Sequence, residues 1–282
     1  MPIREKGYYN WEGQLKSSNI KWLPIFINGI KSVYKKKFSK LLFSLCASTF
    51  LLFLVAVYVS TKPELKMLAQ LVKEIQSNAL LFNTYYTNPF LIFMMVMLSL
   101  FAGSELISND LKYKSFTFYL ARPLSRLDYV KGKYAIVLFY LLAFTLVPGL
   151  LLIIAKIIFS GEFGVSLDIL LAAIIYPIIM SFFLGSLSIL LSSLSSNSRF
   201  VKVMIFVVYM SSNAIAQMFN EIFSNKSFMY LSFDSNLKSF GDFIFGIKGQ
   251  FYTYGFISGC ILVSLTILFF AIIMMRIKRV EV

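Results

Sequence analysis

The chain contains no histidine. That absence excludes zinc motifs of the HExxH type and every catalytic triad built on an imidazole. Cysteine is nearly as scarce, and Cys46 and Cys260 both fall inside apolar runs, where they read as small apolar fillers and not as a disulfide or metal pair. A phosphate-binding loop is missing too. No GxxxxGK[ST] occurs, and Gly132-Lys133 is followed by Tyr134 at the start of an apolar stretch. Charged residues make up only 14% of the chain, against about 25% in an ordinary soluble domain. Paired carboxylates or an activated serine near an interface are not evident either, which leaves an intramembrane enzyme such as a lipid transferase with little to work with.

What fills the chain instead is apolar surface, at 58% hydrophobic residues. Six long runs stand out, at roughly residues 41–60, 89–107, 134–159, 169–193, 202–219 and 253–275. A helix rising 1.5 Å per residue needs about 20 residues to cross a hydrocarbon core of about 30 Å. Backbone groups in hydrocarbon must satisfy one another, and unbroken apolar runs lack the alternation of a barrel strand. The expected fold is therefore all-α: a polytopic bundle of six transmembrane helices forming one membrane domain over residues 41–275. A segment 1–40 precedes it and a tail 276–282 follows. The polar and aromatic opening, residues 1–15, predicts no cleavable signal peptide.

Basic residues set the orientation. Of 27 Lys and Arg, nine precede the first run, six lie in the connection between the second and third, two follow the fourth, and three end the chain. Those twenty share one side, as the positive-inside rule requires of a cytoplasmic face, and both termini are expected there, in a cell (cytoplasmic) membrane. The net charge of +14 is thus assigned to topology and not to nucleic acid. Ahead of the first run, Leu23, Phe26, Ile27, Ile30, Val33 and Tyr34 recur at helical spacing, and Pro24 suits a first turn. This predicts a basic amphipathic helix lying in the headgroup layer, as an anchor or as an elbow that also touches a cytoplasmic partner.

Residues 105–133 read ELISNDLKYKSFTFYLARPLSRLDYVKGK, a long basic and aromatic connection. Pro123 ends any helix entering from Asp110, and Ser125 with Asp128 forms a capping-box pattern that starts the next. The expectation is a helix, a sharp break and a second helix at the membrane surface.

This segment resembles the connection between the second and third spans of ABC type 2 permeases, the membrane subunits of ATP-binding cassette exporters. The residues that carry the likeness are Asp110, YLARPLSR at 119–126, and DYVKGK at 128–133. The six runs, the helix before the first and the aromatic stretch YYNWEG at 8–13 agree with it. Many members have an acidic residue followed by Gly-Thr ahead of the proline, where this chain has Lys114 and Ser115. The resemblance implies a coupling helix docking on an ABC ATPase subunit, with Glu105, Asp110, Tyr119, Arg122, Pro123, Arg126, Tyr129, Gly132 and Lys133 as contact residues. Arg122 and Arg126 would donate charge-assisted hydrogen bonds, Pro123 would fix the bend, and Glu105 and Asp110 would pair with these cations or with the partner. It implies that this chain is no enzyme and binds no cofactor, with ATP and Mg at the partner subunit. It also implies a second copy or a sister permease beside it, within membrane lipid.

Within the apolar runs almost no charge is available for an ion-coupled cycle. Ser181, Gly185, Ser188, Ser192 and Ser196 form a small-residue stripe suited to close helix packing or to a substrate-facing surface. Ser212, Asn213 and Gln217 are candidates for a pathway or dimer seam, or for interhelical contacts. The aromatic-rich stretch 220–250 is expected to form short amphipathic or re-entrant helices. A non-transporting scaffold or receptor subunit is the alternative reading of the same hydropathy.

Overall fold

A computed structural model describes residues 20–62, 77–120, 124–161, 165–248 and 255–279. Among them every regular element is helical: α1 (Leu23–Tyr34), α2 (Lys37–Thr61), α3 (Asn78–Tyr86), α4 (Pro89–Gly103), α5 (Ser108–Lys112), α6 (Phe116–Leu120), α7 (Arg126–Ser160), α8 (Leu167–Leu194), α9 (Ser198–Phe223), a 3-10 turn (Lys226–Leu231), α10 (Phe233–Ile244) and α11 (Gly255–Arg279). Six helical stretches are long and apolar enough to cross a membrane, with α3, α4 and α5 together supplying the second.

Local chemistry explains the boundaries. Pro24 sits in the first turn of α1, where its missing amide costs nothing, and extended backbone at Lys36 separates α1 from α2. The second span is broken at Asn88-Pro89. Asn88 Oδ1 accepts the amides of Phe90 and Leu91 at 2.9 and 3.3 Å, and Pro89 opens α4. The helical part of this span starts at Asn78, ahead of the apolar run, and α3 buries Leu81, Phe82, Tyr85 and Tyr86. At α7 the capping box forms as the sequence predicts: Ser125 Oγ accepts the Asp128 amide at 3.0 Å and Asp128 Oδ2 accepts the Ser125 amide at 3.3 Å. The 35 residues of α7 span about 52 Å at 1.5 Å each. That helix therefore runs without interruption from the basic connection through the bundle.

The second span is central, with 67% of its most apolar window buried against 22% for α2, α9 and α11. Those outer helices turn Leu52, Val55, Val203, Val207, Ile267 and Leu268 outward. Such apolar faces would be costly in water and are at home against acyl chains. Inside, four of the five stripe positions serve close packing: Ser181, Gly185, Ser188 and Ser192 are buried in α8, and a Cβ on Gly103 would overlap the Ser188 side chain, whereas Ser196 lies beyond the end of α8 and is exposed. Gly149, next to Pro148 in α7, likewise leaves room for the Tyr86 ring, whose hydroxyl donates to the Ala173 carbonyl at 2.9 Å.

Helix α1 lies on α7, not apart from the bundle. Ile25, Phe26, Ile30 and Val33 pack inward, whereas Ile27 and Tyr34 of the predicted apolar face point out. Long-range contacts gather Lys36, Lys133, Lys202, Arg126 and Arg276 at one end of the bundle. The Lys156–Ser60 and Asn83–Asp242 hydrogen bonds lie at the other.

Candidate functional site

The basic end is built around a turn. Helix α4 stops at Gly103 and α5 begins at Ser108, so the intervening backbone needs outside partners. Ser192 of α8 supplies them: its Oγ donates to the Ser104 carbonyl at 2.9 Å and accepts the amides of Ile107 and Ser108, each at 3.1 Å. The turn so fixed presents Glu105. Its Oε2 accepts from Lys36 at 2.7 Å and its Oε1 from Lys202 at 2.5 Å. One carboxylate thereby ties the α1–α2 junction and the start of α9 to the end of the second span. These side chains are about a quarter exposed, so the pairs are partly screened.

Asp110 anchors a second and drier knot. Its Oδ2 accepts the Tyr129 hydroxyl at 2.6 Å and the Lys133 ammonium at 2.8 Å, with the two charged side chains only 12% and 9% exposed. The ammonium also lies 5.4 and 5.5 Å from the ring centres of Tyr119 and Tyr129, in cation–π range. Tyr119 meets Tyr129 edge-on at 5.3 Å and Phe116 packs on Tyr129 at 4.7 Å, which brings α6 into the same cluster. Burial, and then the negative charge of Asp110, push the Tyr119 hydroxyl above its ordinary pKa, so it is neutral near pH 7.

Between α5 and α6 the chain reverses at Lys114, whose φ of +52° is the left-handed conformation that side chains other than glycine resist. Close approach matters again at Gly132, where a Cβ would lie 3.0 Å from the Ile25 Cβ and 3.2 Å from the Trp22 carbonyl oxygen. Here α1 rests directly on α7. A cavity of about 780 Å³ opens between α1, α5 and α7, with Lys36, Glu105, Asp110, Tyr119 and Lys133 on its walls.

Six of the residues expected to act together are thus gathered: Glu105, Asp110, Tyr119, Tyr129, Gly132 and Lys133. Arg126 is committed elsewhere, since its Nη1 donates at 2.6 Å to the Lys278 carbonyl in the last turn of α11. Arg122 and Pro123 lie outside the described residues, as does the aromatic stretch 8–13. The acids pair with Lys36, Lys202 and Lys133, not with Arg126. Lys36 and Lys202 carry a sequence signal, because each flanks an apolar run at the end where Glu105 sits.

The polar cluster in α9 is toward the opposite end. Ser212 Oγ accepts the Phe233 amide at 3.3 Å, Asn213 Oδ1 accepts the Ser232 hydroxyl at 3.2 Å, and Gln217 donates to Asn213 at 3.4 Å. Together they hold the start of α10, the amphipathic helix within the stretch 220–250.

No model of a known protein family matches this chain, and no curated protein is similar to it at a significant level.

Proposed function

We propose that this chain is the membrane-spanning permease subunit of an ATP-binding cassette exporter, driven by ATP that a separate nucleotide-binding subunit hydrolyses. The reading starts from the resemblance of residues 105–133 to the coupling segment of ABC type 2 permeases. The observation that carries it further is the way this segment is fastened. Glu105 holds α2 through Lys36 and α9 through Lys202, while Asp110 holds α7 through Lys133. A push on the basic connection would therefore tilt several spans at once, since packed helices and paired charges move as rigid bodies. The uninterrupted α7 would carry that motion across the bilayer. Helix α1, lying on α7 at Gly132, would serve as the elbow, and the segment around Tyr119, Arg122 and Pro123 would meet the ATPase on the cytoplasmic side. A second copy or a sister permease would complete the pathway.

The test is affinity purification of the full chain from its own membranes. An ATPase bearing GxxxxGK[ST] should be recovered with it. Replacing Arg122 and Pro123 by alanine should leave insertion unchanged and separate ATP turnover from transport. Recovery of a stable chain with no such ATPase, in gentle detergent and in lipid discs alike, would defeat the reading.

A further inference from the structure

Two clefts open at the basic end, one at the end of α8 and one at the turn that joins α8 to α9. One, of about 420 Å³, has apolar walls from Leu111, Leu194, Ile272 and Met275, with Arg276 and Arg279 beside them. The other, of about 400 Å³, is lined by Lys112 and Arg199 together with the polar turn residues Ser196, Asn197 and Ser198. Leu111 and Lys112 are consecutive, so α5 forms a wall of both.

Among the described residues four cations line these clefts and no acidic residue does. Of the described acids at this end, Glu105 is engaged by Lys36 and Lys202, Asp110 by Lys133 and Asp128 by Ser125. Arg276 gives Nε to the Ser193 carbonyl at 3.0 Å and Nη2 to the Leu194 carbonyl at 3.3 Å. A guanidinium has five N–H donors, so part of its fork still faces outward. The side chains of Arg279 and Arg199 make no hydrogen bond or ion pair among the described residues.

We infer that the first cleft, whose apolar wall the second lacks, binds the phosphate headgroup of an anionic phospholipid from the leaflet at the basic end, with Lys112 and Arg199 of the adjoining second cleft adding positive charge beside it. The apolar wall decides between ligand classes. Leu194 and Met275 are exposed and line the same cleft as Arg276 and Arg279, which sets apolar surface and guanidinium groups side by side. A free phosphate has no use for that wall, whereas a phospholipid satisfies wall and cations together. Because Arg126 ties the start of α7 to the last turn of α11, a lipid seated on Arg276 and Arg279 would also brace α7. The inference rests on the membrane bundle alone and needs no ATPase.

Its test uses the full chain without any partner, in discs of phosphatidylcholine doped with phosphatidylglycerol, with retained lipid read by native mass spectrometry. Wild type should retain phosphatidylglycerol preferentially. Arg279→Gln and Arg199→Gln should each lower that preference about fivefold, and millimolar glycerol phosphate should not displace the lipid. Lys226→Gln, at the far end, should change nothing. Equal retention of both lipids, unchanged preference in the arginine variants, or an equal loss in Lys226→Gln would overturn the inference. So would displacement by glycerol phosphate, which would make the clefts a site for free phosphate.

Discussion

The Lys133 ammonium stands 2.8 Å from Asp110 Oδ2 between the faces of Tyr119 and Tyr129. This pair closes the connection between the second and third spans: whatever residues 113–125 do, their two ends are held together. A dry ion pair is a poor source of net stability, because desolvation offsets most of the attraction, but its loss on one side only is severe.

Asp110→Asn should therefore cost about 3–5 kcal/mol, since it leaves the Lys133 charge buried with no counter-charge. The double variant with Lys133→Met should recover much of that loss. Thermal unfolding in detergent, analysed as a double-mutant cycle, checks both. Equal destabilisation in the single and double variants would contradict the pairing.

Ser192→Ala should destabilise the chain by about 2 kcal/mol, because it orphans the buried amides of Ile107 and Ser108. Ser186→Ala is the control. Ser186 is equally buried, but its hydroxyl bonds only to Phe183 in its own helix. A similar midpoint shift in both would show that Ser192 has no special part in the turn.

Lys114→Gly should raise stability by about 1 kcal/mol by relieving the left-handed backbone. Lys114→Ala keeps the strain and should not. The two variants compared in one denaturation series separate conformational strain from loss of the lysine charge.

At the opposite end, burial raises the Asp242 pKa above the ordinary aspartate value, and the hydrogen bond donated by Asn83 at 2.7 Å lowers it in part. A carboxyl whose pKa is higher folded than unfolded favours the folded state when protonated. Its contribution is complete below the unfolded value and is lost as pH rises through the folded one. Asp242→Asn should thus be at least as stable as wild type at neutral pH, and its advantage should shrink as pH falls and vanish below the ordinary aspartate value. A stability difference that grows as pH falls would have the wrong sign.

Much of the site was legible in the residues themselves. Ser125 and Asp128 announced their capping box, Glu105 and Asp110 stood among basic residues as candidates for ion pairs, and close packing was one of two readings of the α8 stripe. Less visible was α3, whose Asn83 and Tyr85 dilute the apolar signal even though the helix is buried. The break at Lys114 was hidden as well, because a lysine there gives no hint of a positive φ. The role of Ser192 could not be inferred, since a serine in a stripe of small residues looks the same whether it fills space or satisfies another helix's backbone.

Composition and periodicity by themselves determined an all-helical chain with six membrane-length runs and its cations set mainly toward one side, because hydrocarbon accepts only a backbone bonded to itself. The tertiary structure alone decided which charges meet. Glu105 joins Lys36 and Lys202, and Asp110 meets Lys133 and not Arg126. Those choices depend on the order in which helices pack around the second span, and several apolar faces of similar hydropathy carry no sequence record of which neighbour they will touch.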